Sequence, residues 1–132
     1  MKRYMLDASA VIAFLEDRGG AEVVEDLLGK AASSQQFLQV SVVNWGEIYS
    51  AICRVTGREA ANRKIEELEQ LPIELVDVDS AVTKLAAELS AQYKLPYLSC
   101  IGAATAKTHK ATFVTAEKEF ESVGNDLKLL LV

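Results

Sequence analysis

Apolar residues in this chain switch repeatedly between the period of a strand and the period of a helix, and no tight-hairpin signal such as Asn-Gly joins two strand-like runs. Strands that succeed one another only through helices need crossover connections, which are right-handed and build a parallel sheet covered on both faces. The pattern predicts an α/β fold: a three-layer α/β/α sandwich with a central parallel sheet of four to five strands. Most of the crossovers hold two helices and so exceed the minimal strand-helix-strand unit. A length of 132 residues at 50% hydrophobic composition suits one compact domain spanning residues 1–132.

The strand-like runs are residues 3–6, 37–42, 73–78, 112–115 and 127–131. Between the first two, Val11, Ile12 and Leu15 mark a short helix closed by Gly19 and Gly20, and Val24, Leu27, Leu28 and Ala31 share one face of the next. A helix over residues 43–55 stops at Thr56-Gly57, and a charged helix follows with Ala61, Ile65 and Leu68 inward. Asp79 or Ser80 can cap a helix whose stripe is Val82, Leu85, Ala86 and Leu89. After Leu95-Pro96 come an alanine-rich helix over 98–108 and, beyond the fourth strand, a short one over 118–123.

The first strand stops on Asp7, and the fourth stops two residues before Glu117. In one parallel sheet both carboxylates lie at its carboxyl edge, where open α/β sheets bind ligands. Ala8, Ser9 and Ala10 leave room there, and Ser9 can cap a helix or orient the carboxylate. Asp7 itself can be a nucleophile, a ligand for a hard divalent cation, or a helix cap. Glu47 shares a helix face with Asn44, Ser50, Ala51 and Arg54, roughly opposite Trp45. Within an apolar stretch such a glutamate needs a cation or a donor, or else it pairs with Arg54 at the surface. Glu117 and Glu119 can equally serve the positive end of a helix.

These segments, in this order, resemble the PIN-domain family, metal-dependent ribonucleases that include the VapC-type toxins of prokaryotic toxin-antitoxin pairs. The match runs through Leu6-Asp7-Ala8-Ser9-Ala10, Glu47 within residues 44–51, residues 95–104, and residues 114–120. The resemblance implies that Asp7, Glu47 and Glu117, with an acid at the position of Ser99, converge on Mg²⁺ or Mn²⁺ and that all four positions form the catalytic site. Thr115 and Ser9, and less strongly Asn44, would orient the ligands. It also implies an RNA substrate, a small antitoxin partner placing a basic side chain in the acidic pocket, and a homodimer.

Two positions depart from that family pattern. Glu117 replaces an aspartate and keeps the charge; Ser99 replaces an aspartate and loses it. Two carboxylates about 4 Å apart repel by roughly 4 kcal/mol at an effective dielectric near 20, so the loss eases folding and weakens cation attraction together. Mg²⁺ often takes only one or two carboxylates plus waters, and a serine hydroxyl can hold one such water. The expectation is a ribonuclease weakened or silenced at Ser99, or a non-catalytic module binding an antitoxin or RNA. Aspartyl-phosphate chemistry asks for a second acid two residues after Asp7 or just before it, where Ser9 and Leu6 stand.

Fourteen basic against nineteen acidic residues give −5, which argues against coating nucleic acid by general electrostatics. Arg54, Arg58, Arg63 and Lys64 cluster, as do Lys107, Lys110 and Lys118, either as solvated helix faces or as a phosphate-contacting rim. Cys53 and Cys100 have no ligand spacing and read as buried small hydrophobes, and His109 as the cation of a helix end. No stretch is long enough for a membrane span, and Asp7 interrupts any export signal, so a cytoplasmic protein is expected.

Overall fold

The computed structural model describes residues 1–132. Five strands form one sheet: β1 (Lys2–Leu6), β2 (Gln36–Ser41), β3 (Glu74–Val76), β4 (Thr112–Thr115) and β5 (Leu129–Leu131). All pairings are parallel, in the order β3-β2-β1-β4-β5. The helices are α1 (Ala8–Leu15), α2 (Ala21–Ala32), α3 (Val42–Thr56), α4 (Arg58–Glu69), α5 (Ser80–Tyr93) and α6 (Tyr97–Thr108), with a 3-10 segment at Lys118–Asp126. The three-layer parallel sandwich expected from the sequence is the fold observed.

Successive strand residues point to opposite faces, and both faces here are apolar because helices cover both. Met5 and Phe113 point to the side of α5, α6 and the 3-10 segment, where Phe113 meets Phe120 edge-on with ring centroids 5.1 Å apart. Leu6 and Val114 point to the other side and pack with Val11, Val24, Leu27, Ile48 and Ile65 of α1 to α4. Each fully buried side chain of this size contributes roughly 1.5–3 kcal/mol, so the central strands β1 and β4 anchor both layers.

Several boundaries differ from the sequence expectation for identifiable reasons. β2 ends at Ser41, because the Ser41 hydroxyl accepts the Asn44 N–H and caps α3, which starts at Val42. β3 shrinks to three residues at the sheet edge, and β5 starts at Leu129 because Leu127 is drawn into the core. The helix expected at 118–123 is a 3-10 segment running to Asp126, broken at Gly124, whose φ of 66° a side chain would resist. Cys100 is buried as expected, but Cys53 is only partly so. Asp79, not Ser80, caps α5. No helix is long and apolar enough to cross a membrane.

Candidate active site at the carboxyl edge of the sheet

The chain winds outward from β1 through β2 to β3, then returns to the other side of β1 to lay down β4 and β5. Strand order therefore reverses between β1 and β4, and in doubly wound sheets the crevice at that switch point holds the ligand. Asp7 stands at one wall of it. Its backbone N–H donates to the Val114 carbonyl at 2.8 Å, fastening the end of β1 to β4. It occupies the position preceding α1, but its side chain makes no capping bond. Instead Oδ2 accepts from Ser9 Oγ at 2.7 Å and Thr115 Oγ1 at 2.8 Å. Oδ1 is buried with no partner. Only 1% of Asp7 is exposed, and this burial pushes its carboxyl up to about 7 against the pull of the two hydroxyls, with the charges of Glu117 and Glu47 adding to the rise.

Glu117 faces Asp7 from the segment leaving β4. Its N–H donates to Thr115 Oγ1 at 3.1 Å, so one hydroxyl positions both acids. Ser99, buried in the first turn of α6, donates its hydroxyl to Glu117 Oε1 at 3.0 Å, while Oε2 is buried without a partner. Burial raises the Glu117 carboxyl, Ser99 opposes the rise, and the charges of Glu119 and Glu47 reinforce it. The neighbouring Cys100 thiol is pushed up to about 11 by burial and by the negative charges of Glu117 and Asp7, which keeps it a protonated filler rather than a nucleophile.

Glu47 reaches the group from α3 and is held by Asn44, whose Nδ2 donates to Glu47 Oε1 at 3.1 Å and to the Leu98 carbonyl at 2.9 Å. Ser41 completes this chain by donating to Asn44 Oδ1 at 2.5 Å. Asn44, fully buried, thus ties the start of α3 to the turn that presents Ser99. Gly102 permits that closeness, since a Cβ there would stand 2.8 Å from the Phe113 ring and 3.1 Å from Asn44 Oδ1.

The structure therefore brings Asp7, Glu47, Ser99 and Glu117 to one crevice, with Ser9, Thr115 and Asn44 as their supports. It does not gather Asp7, Glu47 and Glu117 into a compact cluster: no three acidic, histidine or cysteine side chains stand close enough to hold a metal ion together. The Asn44 amide holds Glu47, and Ser99 bonds a carboxylate where the sequence suggested it would hold a water. Glu47 makes no pair with Arg54, which donates to Ser50 instead. The Lys107, Lys110 and Lys118 cluster also divides, because α6 carries the chain from the carboxyl edge to the amino edge. Ser41 was the contributor missed in the sequence; a serine three residues before Asn44 at a strand-to-helix junction is a capping signal that could have found it.

The sequence matches the PIN domain over residues 4–126. The chain belongs to the PIN domain family. As a PIN domain it superposes on VapBC2 from Rickettsia felis, solved bound to a DNA fragment from its promoter, with a TM-score of 0.77 at 20% identity, covering 98% of each chain. A toxin-antitoxin complex from Klebsiella pneumoniae gives 0.64 at 16% identity, covering 96% of this chain and 95% of that one. VapC20 of Mycobacterium tuberculosis, a sarcin-ricin loop cleaving toxin, gives 0.68 at 12% identity, covering 92% and 95%. At these identities the likeness establishes the fold. No protein of curated function matches the sequence significantly.

Proposed function

We propose that this PIN domain is an endoribonuclease, the toxin of a toxin-antitoxin pair, working with Mg²⁺ or Mn²⁺ at a site weakened by Ser99. The observation that carries the reading is the pair of partnerless buried oxygens, Asp7 Oδ1 and Glu117 Oε2. A buried carboxylate oxygen left without a donor costs free energy unless a proton or a cation meets it. Two carboxylates plus waters are an ordinary ligand set for Mg²⁺, so Asp7 and Glu117 fit a single ion, with Glu47 nearby on Asn44 but outside a three-ligand cluster. Such an ion supplies Lewis-acid polarisation of the scissile phosphate and a water of lowered pKa.

The protein's own residues prepare the site. Ser9 and Thr115 hold one Asp7 oxygen so that the other points free, Ser99 does the same for Glu117, and Asn44 orients Glu47. The clefts of about 460, 660, 490 and 540 Å³ elsewhere on the molecule are lined by other residues. A polymer lying across the sheet edge suits the site better than an enclosed small molecule. The toxin-antitoxin complex among the structural neighbours supports a small antitoxin as partner, with a basic side chain meeting the raised carboxyls, and homodimerisation belongs to the same reading.

The test is Mn²⁺-dependent cleavage of a mixed structured RNA by the wild type, by Ser99→Asp and by Asp7→Asn. Cleavage by the first two and none by the third supports a working site of three acids. Cleavage by Ser99→Asp alone identifies a nuclease silenced at one position. Absence of cleavage from both favours the second reading, a non-catalytic module binding an antitoxin or RNA, which draws on the lack of any three-ligand metal cluster.

A further inference from the structure

The far end of the same sheet carries a feature that the carboxylate site does not use. Between the amino ends of β1, β4 and β5 lies a cleft of about 660 Å³ lined by Lys2, Arg3, Tyr4, Lys110, Thr112 and Lys128, with no acid among its walls. The four cations come from three separate parts of the chain and meet only because β1, β4 and β5 are neighbours. None takes part in an ion pair; the salt bridges of the molecule are Arg18 with Glu16, Lys30 with Asp26 and Lys64 with Glu67. In a chain of net charge −5, four unneutralised cations in one cleft are a local excess, and their mutual repulsion is relieved by an anion.

A second observation says what kind of anion. Arg3 and Phe37 are partners in the β1/β2 register, and the guanidinium lies 5.7 Å from the centre of the Phe37 ring. Arg3 Nη1 also donates to the His109 carbonyl at 3.3 Å, which fixes the cation beside an aromatic ring that is 41% exposed. Phe37 also borders a hollow of about 460 Å³ whose walls include Leu71, Pro72 and Ile73, with Glu74 at one end as its single acid. Cations along a groove with an exposed aromatic ring beside them are the two parts of a single-strand binding surface: phosphates meet the cations and a base stacks on the ring. An acidic peptide would use the cations and leave the ring and hollow idle.

We propose that the amino edge of the sheet is a contact surface for single-stranded RNA, separate from the carboxylate site. The strand rise puts Lys2 about 17 Å from Asp7, so an RNA strand that reaches both ends of β1 is held at two points, and shorter oligonucleotides lose the second hold.

Binding of fluorescein-labelled oligouridylate of about twenty nucleotides, longer than a typical single-strand site, tests this by anisotropy in EDTA, which removes any contribution of a cation. Lys110 sits at a φ of 54°, a conformation glycine accepts more readily, so Lys110→Gly removes a cation without lowering Tm. Lys110→Gly combined with Lys128→Gln is expected to weaken binding on the order of tenfold and to reduce the slope of log affinity against log salt by about 0.7 per lysine. Phe37→Ala is expected to weaken binding by about tenfold with the slope unchanged. Wild-type affinity in the double variant overturns the proposal. So does equal competition by polyglutamate with no effect of Phe37→Ala, which would assign the surface to acidic peptides.

Discussion

The two ends of this sheet handle charge in opposite ways. At the carboxyl edge Asp7 is almost wholly buried, and each acid is bonded by neutral donors, Asp7 by Ser9 and Thr115, Glu117 by Ser99, and Glu47 by Asn44 of its own helix. At the amino edge Lys2, Lys110 and Lys128 stand in solvent, and no acid meets them. Burial makes the first arrangement expensive and exact in position; exposure makes the second cheap and tolerant. Stability has been given up at one end to fix carboxylates that repel, and almost none at the other.

The largest break in that comparison is Asp7→Asn, expected to lower RNA cleavage on the order of a thousandfold in a Mn²⁺ assay. The same variant should be more stable than the wild type at pH 8 by up to about 4 kcal/mol in urea unfolding, the full value of a carboxyl lifted from 3.8 to about 7. The sign follows from proton binding. Between those two values the folded chain keeps a proton that the unfolded chain has lost, so the contribution of Asp7 is fully present below about 4 and is lost as pH rises through about 7. Wild-type stability followed across that window should fall more steeply than that of Asp7→Asn; parallel curves would contradict the buried-acid account.

Next in size are changes to the supports. Asn44→Ala removes the donor shared by Glu47 and Leu98 and leaves Ser41 without its acceptor, with an expected loss of about 1–3 kcal/mol by urea melts and of 10- to 100-fold in cleavage. Gly102→Ala places a methyl against Phe113, and about 1–3 kcal/mol of overpacking is expected in the same melts. Smallest is the amino edge: Lys2→Gln should change stability by no more than about 0.5 kcal/mol, since the side chain is exposed and unpaired. A larger loss there would erase the contrast between the ends.

Much of this architecture was legible in the amino-acid order. Val24, Leu27 and Leu28, then Ala61, Ile65 and Leu68, then Val82, Ala86 and Leu89 are buried as their helical spacing requires. Long periodic runs carry that information locally. The ends of elements were less legible, because Ser41 both closes β2 and caps α3, and the left-handed backbone at Gly124 breaks the last helical segment into 3-10 turns, so neighbouring periods overlap where one element gives way to the next. Of the site, Asp7, Glu47, Ser99 and Glu117 came from motif order, and Ser9 and Thr115 were expected as orienting groups. The bond from Ser99 to Glu117 and the hold of Asn44 on both Glu47 and the Leu98 carbonyl were not legible, because both depend on how α6 meets its neighbours.

By itself, then, the sequence determined the parallel sandwich, its alternating crossovers and the placing of acids at strand ends, since periodicity and strand polarity are properties of the chain. Only the tertiary structure decided that β1 and β4 are neighbours, so that residues 108 positions apart share a hydroxyl bond at one edge and Lys2, Lys110 and Lys128 share a cleft at the other. The reason is that helix layers bury the faces of every strand in much the same way. Which strands lie side by side is settled only when both layers pack at once.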